Sequence, residues 1–338
     1  MQIHRHLKVP TGDILVVEGK KGLLECLSLG DYGKAQNVKA DFLGLTNEIE
    51  GVPHGSLVPL EEKWVVTIST QYGCSMNCTF CDVPKVGSGK NATTDDMIGQ
   101  VITGLRIHPE VIRTDRLNIH FARMGEPTWN PDVLEAAEWF KNTLPRFGYQ
   151  VHPVVSTMMP EKNTRLLWFL LEWMTIKNST YNGEAGLQLS INSTDEAQRH
   201  KMFSGNASSM HRCAATMQYV IKHRGVKGRK IALNFAIADD TIIDAEYLAA
   251  LFDPQYFMCK LTPMHVTQAC EDNKIQTTKG YTAFTPYKKH EEALKAAGFD
   301  VLVFVPSWEE DAGRITCGNA ILSGTEPECE WSEINDRP

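Results

Sequence analysis

Several features are missing from these 338 residues, and each absence excludes a class of protein. The N-terminus, MQIHRHLKVP, lacks the apolar run of a signal peptide. The most apolar helical stretch, Leu166 to Met174, is broken by Glu172. It falls well short of the roughly 20 apolar residues a membrane span needs. No segment is low in complexity, so disorder is expected only at the ends. A basic surplus is also lacking. The net charge is −7, which argues against clamping nucleic acid by bulk charge. The nine cysteines are odd in number, and three fall within residues 74–81. That suits a reducing compartment and metal chemistry better than a disulfide framework. The expectation is a soluble, cytoplasmic protein with no membrane association and no obligate protein partner.

What is present is a rhythm. Residues 1–60 read as a small β-rich N-terminal domain or cap, with short apolar runs at Ile14–Val17 and Leu23–Leu29. From residue 64, strand and helix patterns alternate. Strands are expected at Val65–Thr70, Leu117–Ala122, Tyr149–Ser156, Leu187–Asn192, Lys230–Ala238, Phe257–Thr262 and Val301–Val305. Helices are expected between them: 92–108, one opened by Asn130–Pro131, 165–176, 209–223, 245–252, and 288–297 stopped by Gly298. Repeated units of this size imply a parallel sheet flanked by helices. The predicted fold is α/β, a full or partial (β/α)6-type barrel over residues 61–306. A C-terminal tail, 307–338, follows it. In such barrels the chemistry sits at the C-terminal ends of the strands.

The cysteine triplet falls there. Cys74, Cys78 and Cys81 form a C-x3-C-x2-C pattern directly after the first barrel strand. Thiolates suit iron–sulfur clusters and zinc. A structural zinc site and a ferredoxin-type cluster each want four ligands. Here no fourth Cys or His lies close by in sequence. Three cysteines on a [4Fe–4S] cluster leave one iron open, to which S-adenosylmethionine (SAM) can bind. This is the radical SAM pattern, and Phe80 before the last cysteine suits it. A zinc site completed by a distant ligand is the bland alternative.

Other polar groups recur at strand ends. Arg123-Met-Gly-Glu-Pro127 offers Gly125 for close backbone approach and Glu126 as a carboxylate for an ammonium group, here SAM's. Ser156 ends the third strand, and Ser190 and Asn192 the fourth. They suit SAM's ribose and carboxylate; alone, each reads as a cap or turn.

With these segments in order, the chain resembles the RlmN/Cfr family of radical SAM RNA adenosine methyltransferases. The resemblance rests on Gln71–Cys81, Asn91 through Val101, Met124–Pro127 with Asn130, Leu189–Asn192, and Cys317-Gly318-Asn319, spanning about residues 54–320. It implies that Cys317 carries a methyl group taken from one SAM. A second SAM is cleaved to a 5′-deoxyadenosyl radical, which takes hydrogen from that methyl, and the carbon radical adds to adenine. It also implies RNA as partner and an electron donor such as a flavodoxin or ferredoxin.

The chain departs from the family at several positions. Thr67 stands where the family has a second cysteine that helps release the product. His54 stands near the family's glutamate base, and histidine is a base near neutral pH. His265 stands for an asparagine of the cofactor site, and Ser-Ile-Asn replaces Ser-Leu-His. Cys26, Cys259 and Cys270 are candidates to replace the missing cysteine. Residues 222–230 hold five Lys/Arg residues, which reads either as a phosphate contact or as a solvated helix end. An enzyme of the same scaffold acting on a non-RNA substrate by hydrogen abstraction is the alternative. A metal-stabilised binding protein ranks last.

Overall fold

The structure is a computed structural model that describes residues 1–32, 48–49, 52–53, 57–281 and 283–334, with backbone alone for 48–49 and 52–53. The strands are β1 (Ile3–Val9), β2 (Gly12–Gly19), β3 (Gly22–Leu29), β4 (Glu48–Ile49), β5 (Val52–Pro53), β6 (Trp64–Ile68), β7 (Gln71–Gly73), β8 (Ser88–Asn91), β9 (Thr114–Phe121), β10 (Tyr149–Thr157), β11 (Gly186–Ser190), β12 (Ile231–Ile237), β13 (Phe257–Pro263), β14 (Asp300–Val303) and β15 (Ser332–Glu333). The helices are α1 (Thr94–Arg106), α2 (Asp132–Thr143), α3 (Leu166–Thr175), α4 (Glu196–Met202), α5 (Met210–Arg224), α6 (Ala245–Leu251), α7 (Gln268–Asp272), α8 (Thr285–Ala296) and α9 (Trp308–Ala312).

Among the described residues, eleven strands join one sheet in the order β14-β13-β12-β11-β10-β9-β6-β3-β2-β1-β15. From β6 through β14 every neighbouring pair is parallel. This is the run of strand–helix units that the rhythm predicts. Side chains alternate along each strand. In β12, Ile231, Leu233, Phe235 and Ile237 are fully buried, whereas Asn234 and Ala236 line a central cavity. The outer layer is the main core, where strands meet residues such as Val101, Phe140, Trp173 and Met217.

The helices form where periodicity and caps coincide. Thr93 opens α1 through a capping box with Asp96, and Met97, Val101 and Leu105 bury one face. Ser209 caps α5 and Asp244 caps α6. Gly298, at φ +94°, follows α8 and donates to the Lys295 carbonyl. Asn130 acts slightly differently from expectation. A 3₁₀ turn, Pro127–Trp129, precedes it, and its Oδ1 accepts from the Asp132 N–H. Its Nδ2 donates to Thr70 O and Ala92 O, both at 2.8 Å.

The N-terminal strands continue the barrel sheet across the boundary expected near residue 60. β3 pairs antiparallel with β6, placing Leu27 opposite Thr67. The tail returns as well: β15 pairs with β1, and Ile315 and Ile321 pack on Leu7, Val16 and Leu27. Burial of this second apolar cluster fixes the tail, and with it the segment carrying Cys317.

Candidate active site

The cysteine loop is held at both ends. Cys74 follows β7, and β7 pairs with β8, so the loop is the connection of a short hairpin. Gly73 has φ +80°, and a Cβ there would lie 2.1 Å from Gly87 O. Only glycine allows this approach, which lets the Cys74 N–H donate to Gly87 O at 3.1 Å. Cys78 is buried, and Cys74 and Cys81 are partly covered. All three line one cavity of about 430 Å³. Met76, Phe203 and Met264 pack around them. Burial pushes the Cys74 thiol up to about 11 and raises those of Cys78 and Cys81 further, so a bound cation is needed to favour the thiolates.

The strand-end motif after β9 is latched to this loop. Gly125 has φ +99°, and its added Cβ would lie 2.6 Å from Gln71 Cβ. Gln71 Oε1 accepts from the Glu126 N–H at 3.0 Å, and Gln71 Nε2 donates to Asn91 at 2.9 Å. Glu126 is 1% exposed. Its Oε1 accepts from Thr128 N–H and Oγ1, at 3.1 and 2.7 Å, and its Oε2 from the Met158 N–H at 3.1 Å. Burial raises its pKa, against these hydrogen bonds, which lower it. No ion pair of Glu126 occurs among the described residues, and it lines the cavity. A buried carboxylate with no ion pair, beside three thiols, has the charge to receive a cationic group.

Ser156 and Ser190 line the same cavity from β10 and β11. Asn192 joins them with φ +59°, and its Oδ1 accepts from the Ala236 N–H at 3.1 Å. Arg199, not singled out by the sequence, holds this turn by donating to Ser190 O at 3.0 Å and to Ile191 O. Met158 was also missed, and it accepts from the Cys78 thiol at 3.5 Å.

The C-terminal motif arrives by long-range bonds. The Asp82 N–H donates to Gly318 O at 2.9 Å. Arg123 donates to Arg314 O at 2.8 Å and Thr316 O at 3.3 Å, while its Nε donates to the buried Glu25 at 2.7 Å. Cys317 is thereby set on the cavity wall, within electrostatic reach of Cys81. It is the one exposed cysteine of the nine.

His265 also lines the cavity. Its Nδ1 meets Tyr281 Oη at 2.7 Å and Asp311 Oδ1 at 3.2 Å. Asp311 lay unremarked in the acidic tail. Thr67 is on the cavity wall, paired in register with His120. Burial drives the His120 pKa down to about 3, and Lys260, Arg229 and Lys63 add to this, so its ring is neutral. None of Cys26, Cys259 and Cys270 lines the cavity. His54 lies outside the described residues. The basic segment 222–230 ends α5 and precedes β12, at the end of the strands opposite the cysteine loop, and none of it borders the cavity. Its charges complement the α5 C-terminus.

The donor set fits an iron–sulfur cluster. Among the described residues, no three His, Cys, Asp or Glu side chains gather tightly enough to hold one ion. The three thiols line one cavity and are the donor type that an iron–sulfur cluster takes.

The comparisons agree with this geometry. No family model matches the chain. A probable dual-specificity RNA methyltransferase RlmN of Deinococcus deserti is 26% identical over 274 residues, covering 78% of this chain and 72% of that protein. Its counterpart in Sorangium cellulosum is 23% identical, over 77% of this chain and 62% of that one. Over about three quarters of its length this chain is similar to proteins named RlmN. Its fold is that of a radical SAM methyltransferase from Sphaerobacter thermophilus, with a TM-score of 0.66, 18% identity, and coverage of 94% of this chain and 80% of that one. No described helix of the chain is long and apolar enough to cross a membrane.

Proposed function

We propose that the chain is a radical SAM methyltransferase that modifies adenine in RNA through a methyl group carried on Cys317. Support comes first from location: Cys317 lines the same cavity as Cys74, Cys78, Cys81 and Glu126. The relatives it matches over most of its length are named as RNA methyltransferases. In this reading the three cysteines hold a [4Fe–4S] cluster, which supplies the electron that cleaves SAM when reduced by a flavodoxin- or ferredoxin-type donor. Glu126 receives the SAM ammonium, and Gly125 lets the backbone approach it. Ser156, Ser190 and Asn192 contact the remaining polar groups of SAM. Excluding water from the radical falls to the cavity walls and the bound substrate.

Product release differs from the family's. Thr67 has no thiol, and the cavity holds no cysteine besides the triplet and Cys317. On this reading, product release uses a group other than a second cavity cysteine outside the triplet.

The test is anaerobic. The protein is reconstituted with iron and sulfide, reduced, and given SAM and RNA. The expected products are 5′-deoxyadenosine, S-adenosylhomocysteine, a Cys317 peptide heavier by one methyl, and methyladenosine in the digested RNA. Deoxyadenosine without Cys317 methylation would point to hydrogen abstraction from another substrate. Bound zinc with no SAM cleavage would sink the radical reading.

A further inference from the structure

We propose that His265 is the proton acceptor that prepares Cys317 for methyl transfer, a role that rests on the reading of Cys317 as the methyl-carrying residue. The argument starts from one carboxylate. Asp311 is 6% exposed. Its Oδ1 lies 3.2 Å from His265 Nδ1 and accepts from Thr316 Oγ1 at 2.8 Å. Its Oδ2 accepts from the Val266 N–H at 3.2 Å. Arg314 adds a second tie, donating to Val266 O at 2.9 Å. Asp311 thus fastens the segment after β13 to the residue immediately before Cys317. The two segments meet on the wall that both His265 and Cys317 line.

The same contacts choose the tautomer. A carboxylate only accepts, so the Tyr281 hydroxyl and His265 Nδ1, both bonded to Asp311, each donate to it, and the ring hydrogen lies on Nδ1. Tyr281 stays protonated, because burial raises its pKa. In the neutral ring, Nε2 then holds the lone pair. Among the described residues Nε2 has no hydrogen-bond partner. An imidazole oriented by a buried carboxylate, on the wall of a cavity that a thiol also lines, is the arrangement that activates nucleophiles.

A free thiol is mostly protonated near neutral pH, and the thiolate is the nucleophile. The step balances without an oxidant or reductant. Cys317 Sγ–H breaks, and its proton moves to Nε2. A sulfur lone pair forms the new bond to the SAM methyl carbon. The old sulfonium–methyl bond breaks, its electron pair stays on the departing sulfur, and S-adenosylhomocysteine leaves. The products are methylated Cys317 and a protonated His265, which returns its proton to solvent.

The experiment uses full-chain, cluster-loaded protein and two readouts. Without SAM, iodoacetamide alkylation of Cys317 is followed by peptide mass. With SAM, methylation of the same peptide is followed. His265→Gln should slow both by about a hundredfold or more, the lower end of general-base effects. Cluster absorbance should stay unchanged. Added imidazole should restore alkylation in His265→Gly, which a purely bracing role would not permit. Wild-type rates of both reactions in His265→Gln would overturn the proposal. A wild-type Cys317 that is never methylated, yet alkylates in a His265-dependent way, would sink the methyl-carrier reading and leave the proton acceptor standing.

Discussion

The backbone N–H of Asp82 donates to the carbonyl of Gly318 at 2.9 Å, across 236 residues of chain. The residue before each partner is a cysteine, Cys81 on one side and Cys317 on the other. Asp82 is fully buried, and its carboxylate accepts from the Gln268 and Ala269 N–H groups at 3.1 and 2.9 Å. One residue therefore joins the cysteine loop, the C-terminal motif and the start of α7.

Replacing Cys78 with Ala should abolish cluster binding. It is the most enclosed of the three thiols, and two remaining ligands hold a four-iron cluster poorly. Iron content after reconstitution should fall to a small fraction of wild type, and SAM cleavage with it. Full iron loading in Cys78→Ala would contradict the assignment.

Glu126→Gln tests the ammonium receptor. The substitution keeps the shape but removes the charge, and it turns one acceptor into a donor facing the Met158 or Thr128 N–H. Loss of a charged hydrogen bond is worth about 1.5–3 kcal/mol, so SAM affinity should drop at least about tenfold. Calorimetric titration of the loaded protein with SAM measures it.

Gly125→Ala should fail for steric reasons alone. The new Cβ meets Gln71 Cβ at 2.6 Å in a backbone held at φ +99°. A destabilisation of about 1–3 kcal/mol is expected in denaturant unfolding. Gly225→Ala, at φ +67° with open space around it, should cost less.

The Arg123–Glu25 pair is buried on both sides. Removing Arg123 alone leaves Glu25 charged and unpaired, which costs about 3–5 kcal/mol. It also frees the carbonyls of Arg314 and Thr316. Arg123→Met should therefore lower the denaturation midpoint and accelerate proteolysis after residue 314. The double variant with Glu25→Gln should lose less than the two single variants summed.

Asp13 sets an acid limit on stability. Burial acts to raise its pKa, but hydrogen bonds from His108 and His6 outweigh this and hold it at about 2, below the ordinary 3.8. A depressed carboxylate stabilises the fold above its unfolded pKa. That contribution is lost as pH falls from about 3.8 to about 2, and by linkage it is worth roughly 2 kcal/mol. Asp13→Asn should therefore destabilise the protein at pH 6 and have little effect near pH 2. Urea midpoints across that range give the answer.

Much of the barrel was legible in the sequence because its signals are local. The seven expected strands appear within a few residues, since period-two alternation needs only neighbouring side chains to be read. The cysteine spacing is likewise a property of a few adjacent residues. The short helices α7 and α9 escaped, because a segment of five residues is too brief for helical periodicity to stand out. The N-terminal strands were readable as strands. Their antiparallel pairing to β6 was not, because register depends on a partner 36 or more residues away.

The site divides along the same line. Cys74, Cys78, Cys81 and Glu126 announce their chemistry through residue type and spacing after a strand. Nothing local distinguishes Arg123, Asp311 or Arg199 from other charged residues, and the position of Cys317 depends on bonds to Asp82 and Arg123 far away in the chain. His265 could be marked as a cavity residue by analogy, yet its orientation comes from Asp311 and Tyr281. Composition and spacing encode which atoms are available. Folding encodes which of them meet, since a hydrogen bond between distant segments forms only after the entropy of closing the intervening loop has been met by burial of the core.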